Sequence, residues 1–245
     1  MSEATTLGDS IHVSKHPVLY HKISILRSAA TKVGQFRSVL KEVTYHLGYE
    51  ATSNLKTREI RVSVSVGKES VDEHNDCMGH KIADKIALIP ILRSGLGMTD
   101  GMLELLPQAA VHHIGMYHVP GVAPVQYFNR LPRTCAADIA FVVDPVIASA
   151  ETVMAVIAIL KKWGVPKIHI VCVLASKQGL MKIAETHPDV SVTVGMVDDV
   201  LTENGIVLPG LGDCGNRLYG TDPIIDDDDE SLLLPSKRKR LDSQS

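Results

Sequence analysis

Apolar runs alternate with stretches of helical periodicity from residue 85 onward. IALIPIL is followed by MTDGMLELLP, IAFVVD by TVMAVIAILKKWG, KIHIVCVLAS by QGLMKIAETHP, and VSVTVGMVD closes the series. Near-continuous apolar strands of this kind belong to parallel sheets covered on both faces, because a strand that meets water on neither side has no reason to alternate. The pattern therefore predicts a doubly wound α/β fold, with a parallel sheet and helices on both faces. Ligands of such sheets sit beyond the carboxyl ends of the strands, so the useful residues should follow ALIPIL and FVVD. Upstream, Phe36, Leu40, Val43 and Leu47 recur at helical spacing, with Gly48 as a C-terminal stop, and predict an N-terminal helical segment. In EIRVSVSVG, Ile60, Val62, Val64 and Val66 alternate with polar residues and predict a half-buried strand in a β-hairpin arm. The Pro- and Gly-rich segment HVPGVAPVQYFNRLPRTC reads as a long loop or hairpin over the site.

Both ends break the pattern. Residues 1–15 are polar and 222–245 are charge-blocked, so both are expected to be disordered tails flanking one domain at 16–221. A chain of 245 residues that is 45% hydrophobic is long enough to bury one sizeable core. Its formal net charge of −3 offers no global basic field, which argues against nucleic acid as a partner. The four cysteines, Cys77, Cys135, Cys172 and Cys214, are scattered without a CxxC pair and suggest neither a zinc site nor a disulfide framework. No run approaches the roughly 18 apolar residues of a membrane span. A cytoplasmic protein is expected, and KRKR at 237–240 leaves a nuclear signal open beside a plain basic tail end.

The segment FVVDPVIASAETV carries the most chemistry. A buried strand ends on an acid, Asp144, and a turn of small residues leads into a helix. Backbone N–H groups at a helix N-terminus are unsatisfied and the helix dipole favours negative charge there, so this layout suits a phosphate. Asp144 can hold ribose hydroxyls or a magnesium ion, and Ser149 and Thr152 can donate to phosphate oxygens. Taken alone, the same layout also fits an ordinary βα turn with Asp144 capping the helix.

Three further segments narrow the choice. HPVLYHKISILR with FRSVLKEVTYHLGYEAT, PILRSGLGM and IVLPGLGDCGNRLYGT occur in the order and spacing of the uracil phosphoribosyltransferase family, which the chain resembles from about residue 16 to residue 221. The resemblance implies the type I phosphoribosyltransferase fold. It also implies transfer of the phosphoribosyl group of phosphoribosyl pyrophosphate to uracil, giving uridine monophosphate (UMP) and pyrophosphate, with Mg²⁺ as cofactor and a homodimer or other homo-oligomer as the assembly. By the same resemblance Arg93, Asp144 and Asp213 are the catalytic residues, and Arg93 binds the pyrophosphate. The ribose 5-phosphate would lie in the cradle formed by Asp144, Pro145, Val146, Ile147, Ala148, Ser149, Ala150, Glu151 and Thr152. Val207, Gly212, Asp213 and Cys214 would hold uracil through backbone groups, and His118 would reach the substrate from its loop. No side chain is assigned directly as a metal ligand.

Three positions depart from the family pattern. Ser149-Ala150-Glu151-Thr152 stands where a Thr-Gly-Gly-Ser type turn is usual, and Glu151 places a carboxylate at the mouth of a phosphate cradle. His118 stands for an arginine, and Asn216 for the second acid of a GDxGD pattern. These departures support a second reading, a catalytically weakened paralogue that binds a ligand or regulates. Adjacent His112 and His113 would face opposite sides of a strand and so suit structural roles better than a shared metal, and Trp163 suits the core.

Overall fold

The computed structural model describes residues 7–64, 76–119 and 122–221, with backbone alone at 118, 119 and 122. In chain order the elements are β1 (Ile11–Val13), α1 (Pro17–Arg27), α2 (Val33–Ala51), β2 (Thr57–Ser63), β3 (Asp76–Ile82), β4 (Ile86–Leu92), α3 (Leu96–Leu105), β5 (Ala110–Val111) and β6 (Ile114–Val119). There follow β7 (Val122–Asn129), β8 (Ile139–Val143), β9 (Val146–Ile147), α4 (Glu151–Trp163), β10 (Ile168–Ser176), α5 (Lys177–Thr186), β11 (Ser191–Asp198), β12 (Val200–Leu201), β13 (Val207–Leu208) and α6 (Cys214–Tyr219).

The main sheet runs β1-β11-β10-β8-β4-β6-β7, with β5 beside β4 and β9 beside β10. Every pairing in it is parallel except β6 with β7. The apolar runs work as the patterning requires. Ala87, Ile89, Ile91, Ala140, Val142, Ile170 and Cys172 face a core shared with α4 and α5. Their sequence neighbours Leu88, Phe141, Val143, Val171 and Val173 face the opposite core, shared with α1, α2, α3 and α6. The doubly wound α/β architecture is thus present, and its strand order reverses between β4 and β8. That reversal opens a crevice at their carboxyl ends, immediately before Arg93 and Asp144.

Three expectations need correcting. The expected N-terminal tail up to residue 15 contains β1, which pairs in parallel with β11 at Ile11↔Val192 and Val13↔Val194, and Ser14 is fully buried. Three residues are too few for a periodicity to register. Gly48 does not end the predicted helix, because α2 continues to Ala51. It is a packing glycine instead: a Cβ there would lie 2.5 Å from Leu105 Cδ1 and 3.0 Å from Met102 Sδ of α3. The hairpin arm exists as β2 paired antiparallel with β3, but within the single chain it is not half-buried, and Val62, Val64, Met78 and Ile82 are exposed. Val66 lies outside the described residues, as do residues 1–6 and the whole 222–245 segment with its acidic run and KRKR.

The Pro- and Gly-rich segment covers the end of β6 and all of β7, which pair antiparallel. His112 sits edge-on to Trp163, ring centroids 5.5 Å apart, and the indole Nε1 donates to the Pro132 carbonyl at 2.8 Å. Both side chains thus tie the β5–β6 turn to the end of α4, in line with their expected structural roles.

Candidate active site

Asp144 follows β8 directly and is 8% exposed. Its Oδ1 accepts a 2.7 Å hydrogen bond from the Ser94 hydroxyl, which joins the two strand ends across the crevice. Burial pushes its pKa up to about 7, against the opposing pull of the Ser94 hydroxyl and the Val146 N–H. After Asp144 the chain makes one more sheet contact, with Val146 and Ile147 opposite Leu174 and Ala175 of β10. The Ile147 and Ala150 side chains are buried in the core, so these members of the expected cradle face away from a ligand and offer only backbone.

Ala150 adopts a left-handed conformation, φ 65°, just before α4 begins at Glu151. A β-carbon makes this region costly, by about 1–2 kcal/mol, and tight packing of the loop holds it there. Having no polar side chain, Ala150 leaves the first turn of α4 without a side-chain cap, with Ser149 and Thr152 on either side. The Glu151 carboxylate is 3.8 Å from Lys182 Nζ of α5. The loop rests on that same helix. Ser176 caps α5 by accepting from the Gly179 N–H at 2.9 Å and donates to the Ala148 carbonyl at 2.6 Å. A Cβ on Gly179 would overlap that carbonyl oxygen.

Arg93 leaves the end of β4 and crosses to the C-terminal segment, where its Nη2 donates to Asn216 Oδ1 at 3.1 Å. Asn216 Oδ1 also accepts from the Thr221 hydroxyl at 2.8 Å, and the Tyr219 hydroxyl donates to the Arg93 carbonyl at 3.4 Å. Gly95 is forced by contact, because a Cβ there would overlap the Val143 carbonyl oxygen at the end of β8. The Leu92–Arg93 and Leu208–Pro209 peptides are cis.

The segment expected to hold the base runs from β13 into α6. Val207 is buried, Gly210 and Gly212 take φ of +63° and +69°, and Asp213 caps α6 by accepting from the Asn216 N–H at 2.9 Å. Cys214 is buried, and burial with the nearby Asp144 charge drives its thiol pKa up to about 12, so it is not a nucleophile.

Two guanidinium clamps hold this segment, and neither is evident from the sequence alone. Arg27, last residue of α1, makes a bidentate pair with Asp198 at the end of β11 at 2.8 and 2.6 Å, and donates to the Gly210 carbonyl at 3.0 Å. Asp198 in turn accepts from the Gly210 N–H at 2.8 Å. Burial alone would raise the Asp198 pKa, but the Arg27 hydrogen bonds, the Gly210 N–H and the guanidinium charge prevail and lower it. Arg217 of α6 donates to the carbonyls of Leu26, Leu211 and Ser28 and stacks 4.3 Å above the Phe36 ring. Asp198 ends the predicted strand VSVTVGMVD, which was the available signal. Nothing in the sequence pairs it with a residue 171 positions away. Ser94, Ser176 and Lys182 were missed for the same reason. His118 belongs to β6, and its side chain lies outside the described residues.

The family model described as uracil phosphoribosyltransferase matches residues 13–221. The chain belongs to the uracil phosphoribosyltransferase family. It is 42% identical over 210 residues to a uracil phosphoribosyltransferase of Agathobacter rectalis, covering 85% of this chain and 97% of the relative. It is 40% identical over 213 residues to one of Lachnoclostridium phytofermentans, covering 86% and 99%. A solved Aquifex aeolicus protein superposes with a TM-score of 0.79 at 29% identity, covering 87% of this chain and all of that one. Against this uracil phosphoribosyltransferase background, the Asp144 loop, the Arg93 loop and the Gly210–Asp213–Cys214 turn meet at the strand-order reversal. Arg93, Asp144 and Asp213 are therefore gathered in one place.

Proposed function

We propose that the protein joins uracil to phosphoribosyl pyrophosphate, giving UMP and pyrophosphate. The observation that carries this reading is the convergence of the three loops, through Ser94 on Asp144 at 2.7 Å and Arg93 on Asn216 at 3.1 Å. In this reading the uncapped first turn of α4 receives the 5-phosphate, with Ser149 and Thr152 donating hydroxyls, and Asp144 accepts from the ribose hydroxyls. Arg93 swings to the pyrophosphate, where a planar guanidinium can meet two oxygens at once. Backbone groups of the Gly210–Gly212 turn face the N–H and C=O edges of uracil. A bond forms between a uracil ring nitrogen and the anomeric carbon as the bond from that carbon to the pyrophosphate oxygen breaks. Positive charge builds on the ribose and negative charge on the leaving group. Catalysis is then positioning and electrostatic stabilisation, with no side-chain nucleophile.

Among the described residues no group of three or more His, Cys, Asp or Glu side chains is arranged to hold a metal ion. A magnesium ion would accordingly take most of its oxygens from phosphoribosyl pyrophosphate, with Asp144 or Asp213 as single carboxylate partners, and would neutralise charge on the departing pyrophosphate. The exposed apolar residues of β2–β3 support a homo-oligomer in which this arm is covered. No described helix is long and apolar enough to cross a membrane. The four free cysteines support action in a reducing cytoplasm.

The strained Ala150 and the acidic Glu151 favour the second reading, a ligand-binding paralogue with weak turnover. The two are separated by incubating the purified protein with uracil, phosphoribosyl pyrophosphate and Mg²⁺ and measuring UMP. Steady formation from uracil with little product from cytosine is expected. Binding of both substrates without turnover would establish the paralogue.

A further inference from the structure

We propose that Lys182 is a positioning residue for the phosphate loop: it holds the Glu151 carboxylate aside so that a phosphate, rather than the chain's own anion, occupies the N-terminus of α4. This rests on the phosphoribosyl transfer assigned above and adds a residue to its phosphate site. The first-turn N–H groups of α4 have no side-chain cap, because Ala150 has no polar atom to offer. Such a terminus attracts negative charge, and Glu151 is the only acid in that first turn. An acid there competes with any phosphate for the same N–H groups and repels it by charge. A cation that draws it off stands on the neighbouring helix, with Lys182 Nζ 3.8 Å from Glu151 Oε1.

That cation is not placed there by a wandering surface side chain alone, since its helix is fastened to the loop. Ser176 caps α5 and also donates to the Ala148 carbonyl at 2.6 Å. Gly179 approaches the same carbonyl so closely that no β-carbon fits. Lys182 lies three residues beyond Gly179, which puts it on the same face of α5 one turn further on. One helix face therefore fixes the loop backbone at Ala148 and governs the acid at Glu151. Both side chains of the pair are partly exposed, 46% for Lys182 and 39% for Glu151, so the effect is modest and salt-sensitive.

The test is a titration of phosphoribosyl pyrophosphate with Mg²⁺ into the parent protein, Lys182→Met, Lys182→Arg, Glu151→Gln and the Lys182→Met/Glu151→Gln double variant, with UMP formation measured alongside. Lys182→Met should raise the phosphoribosyl pyrophosphate Kd about threefold, the size expected for a partly exposed pair, and leave kcat and the uracil KM within about 1.5-fold. Lys182→Arg should restore the parent value. In the Glu151→Gln background the Lys182→Met step should change Kd by less than about 1.5-fold, because no carboxylate remains to be held. An equal rise in both backgrounds would mean that Lys182 attracts the ligand directly, and no rise in either would mean that it does nothing at the site; each overturns the proposal. A parent that binds phosphoribosyl pyrophosphate but makes no UMP sinks the assigned reaction while the Kd comparison still decides the role of Lys182. A parent that binds none overturns both.

Discussion

Asp144 is buried with its pKa raised to about 7 from 3.8, so its two protonation states are both populated at neutral pH. A group raised in the folded state favours folding below its unfolded pKa, and that contribution is lost as pH rises toward the folded value. Ionised Asp144 therefore costs stability above about pH 7, by at most roughly 4 kcal/mol for about three pKa units. Asp144→Asn keeps an acceptor for Ser94 but no charge. Urea unfolding should show it more stable than the parent at pH 8, with the gap closing toward pH 4. In the proposed reading the ribose hydroxyls donate more strongly to the ionised acid than to the neutral one, so phosphoribosyl pyrophosphate affinity should rise from pH 6 to pH 8 in the parent and more weakly in Asp144→Asn. Asp198 behaves oppositely. Its pKa is lowered, so its contribution is present above the unfolded carboxylate value and disappears as pH falls through the folded one. Asp198→Asn leaves the Arg27 guanidinium without its countercharge and should cost about 2 kcal/mol or more at pH 7. It should also raise the uracil KM, since Arg27 and the Gly210 N–H then compete for one acceptor oxygen where Asp198 offers two. An unchanged uracil KM would show that the Gly210 turn holds itself.

At the scale of elements, the strands that could be read from the sequence are those buried on both faces. IALIPIL, IAFVV and IHIVCVLAS have no polar alternation to obscure them, and each is followed by a helix with one apolar stripe. The acid at the end of β8 and the arginine at the end of β4 were legible because strand ends in such sheets point at ligands. What supports them was not legible. Gly48 carries the composition signal of a helix stop, yet α2 needs it for close approach to α3. Likewise Gly179 looks like an ordinary residue of a short helix, yet it sets the distance between α5 and the phosphate loop. Gly179→Ala should gain about 1 kcal/mol of helix propensity and lose more than about 2 kcal/mol to the clash with Ala148. The expected outcome is a lower denaturant midpoint with weakened phosphoribosyl pyrophosphate binding. A stabilised Gly179→Ala variant would show that α5 does not bear on the loop. Ala150→Gly relieves a left-handed backbone at the cost of a looser unfolded chain, and should come out neutral to about 1 kcal/mol stabilising by chemical denaturation.

Across the whole molecule, the sheet edge at β11 is closed by β1, a segment whose polar composition reads as a tail. Ser14 donates to Glu50 at 2.9 Å and lies 3.0 Å from His46 Nε2, so the strand is tied to α2 as well as to the sheet. Removing residues 1–15 exposes the β11 edge and orphans those partners. It should lower the melting temperature by several degrees and promote self-association, seen by light scattering. Such ties join residues far apart in the chain, and periodicity carries no information about them. The same holds for the contact of Arg93 with Asn216, 123 positions apart, which in the proposed reading joins the pyrophosphate subsite to the turn beside the base. A pyrophosphate that draws the guanidinium away from Asn216 breaks that bond and frees the turn beside the base. The two binding events therefore share one free-energy term, and thermodynamic reciprocity requires each substrate to alter the other's affinity by the same factor. Asn216→Ala removes the shared bond, so calorimetric titrations of each substrate in the presence and absence of its partner should draw closer together in that variant than in the parent.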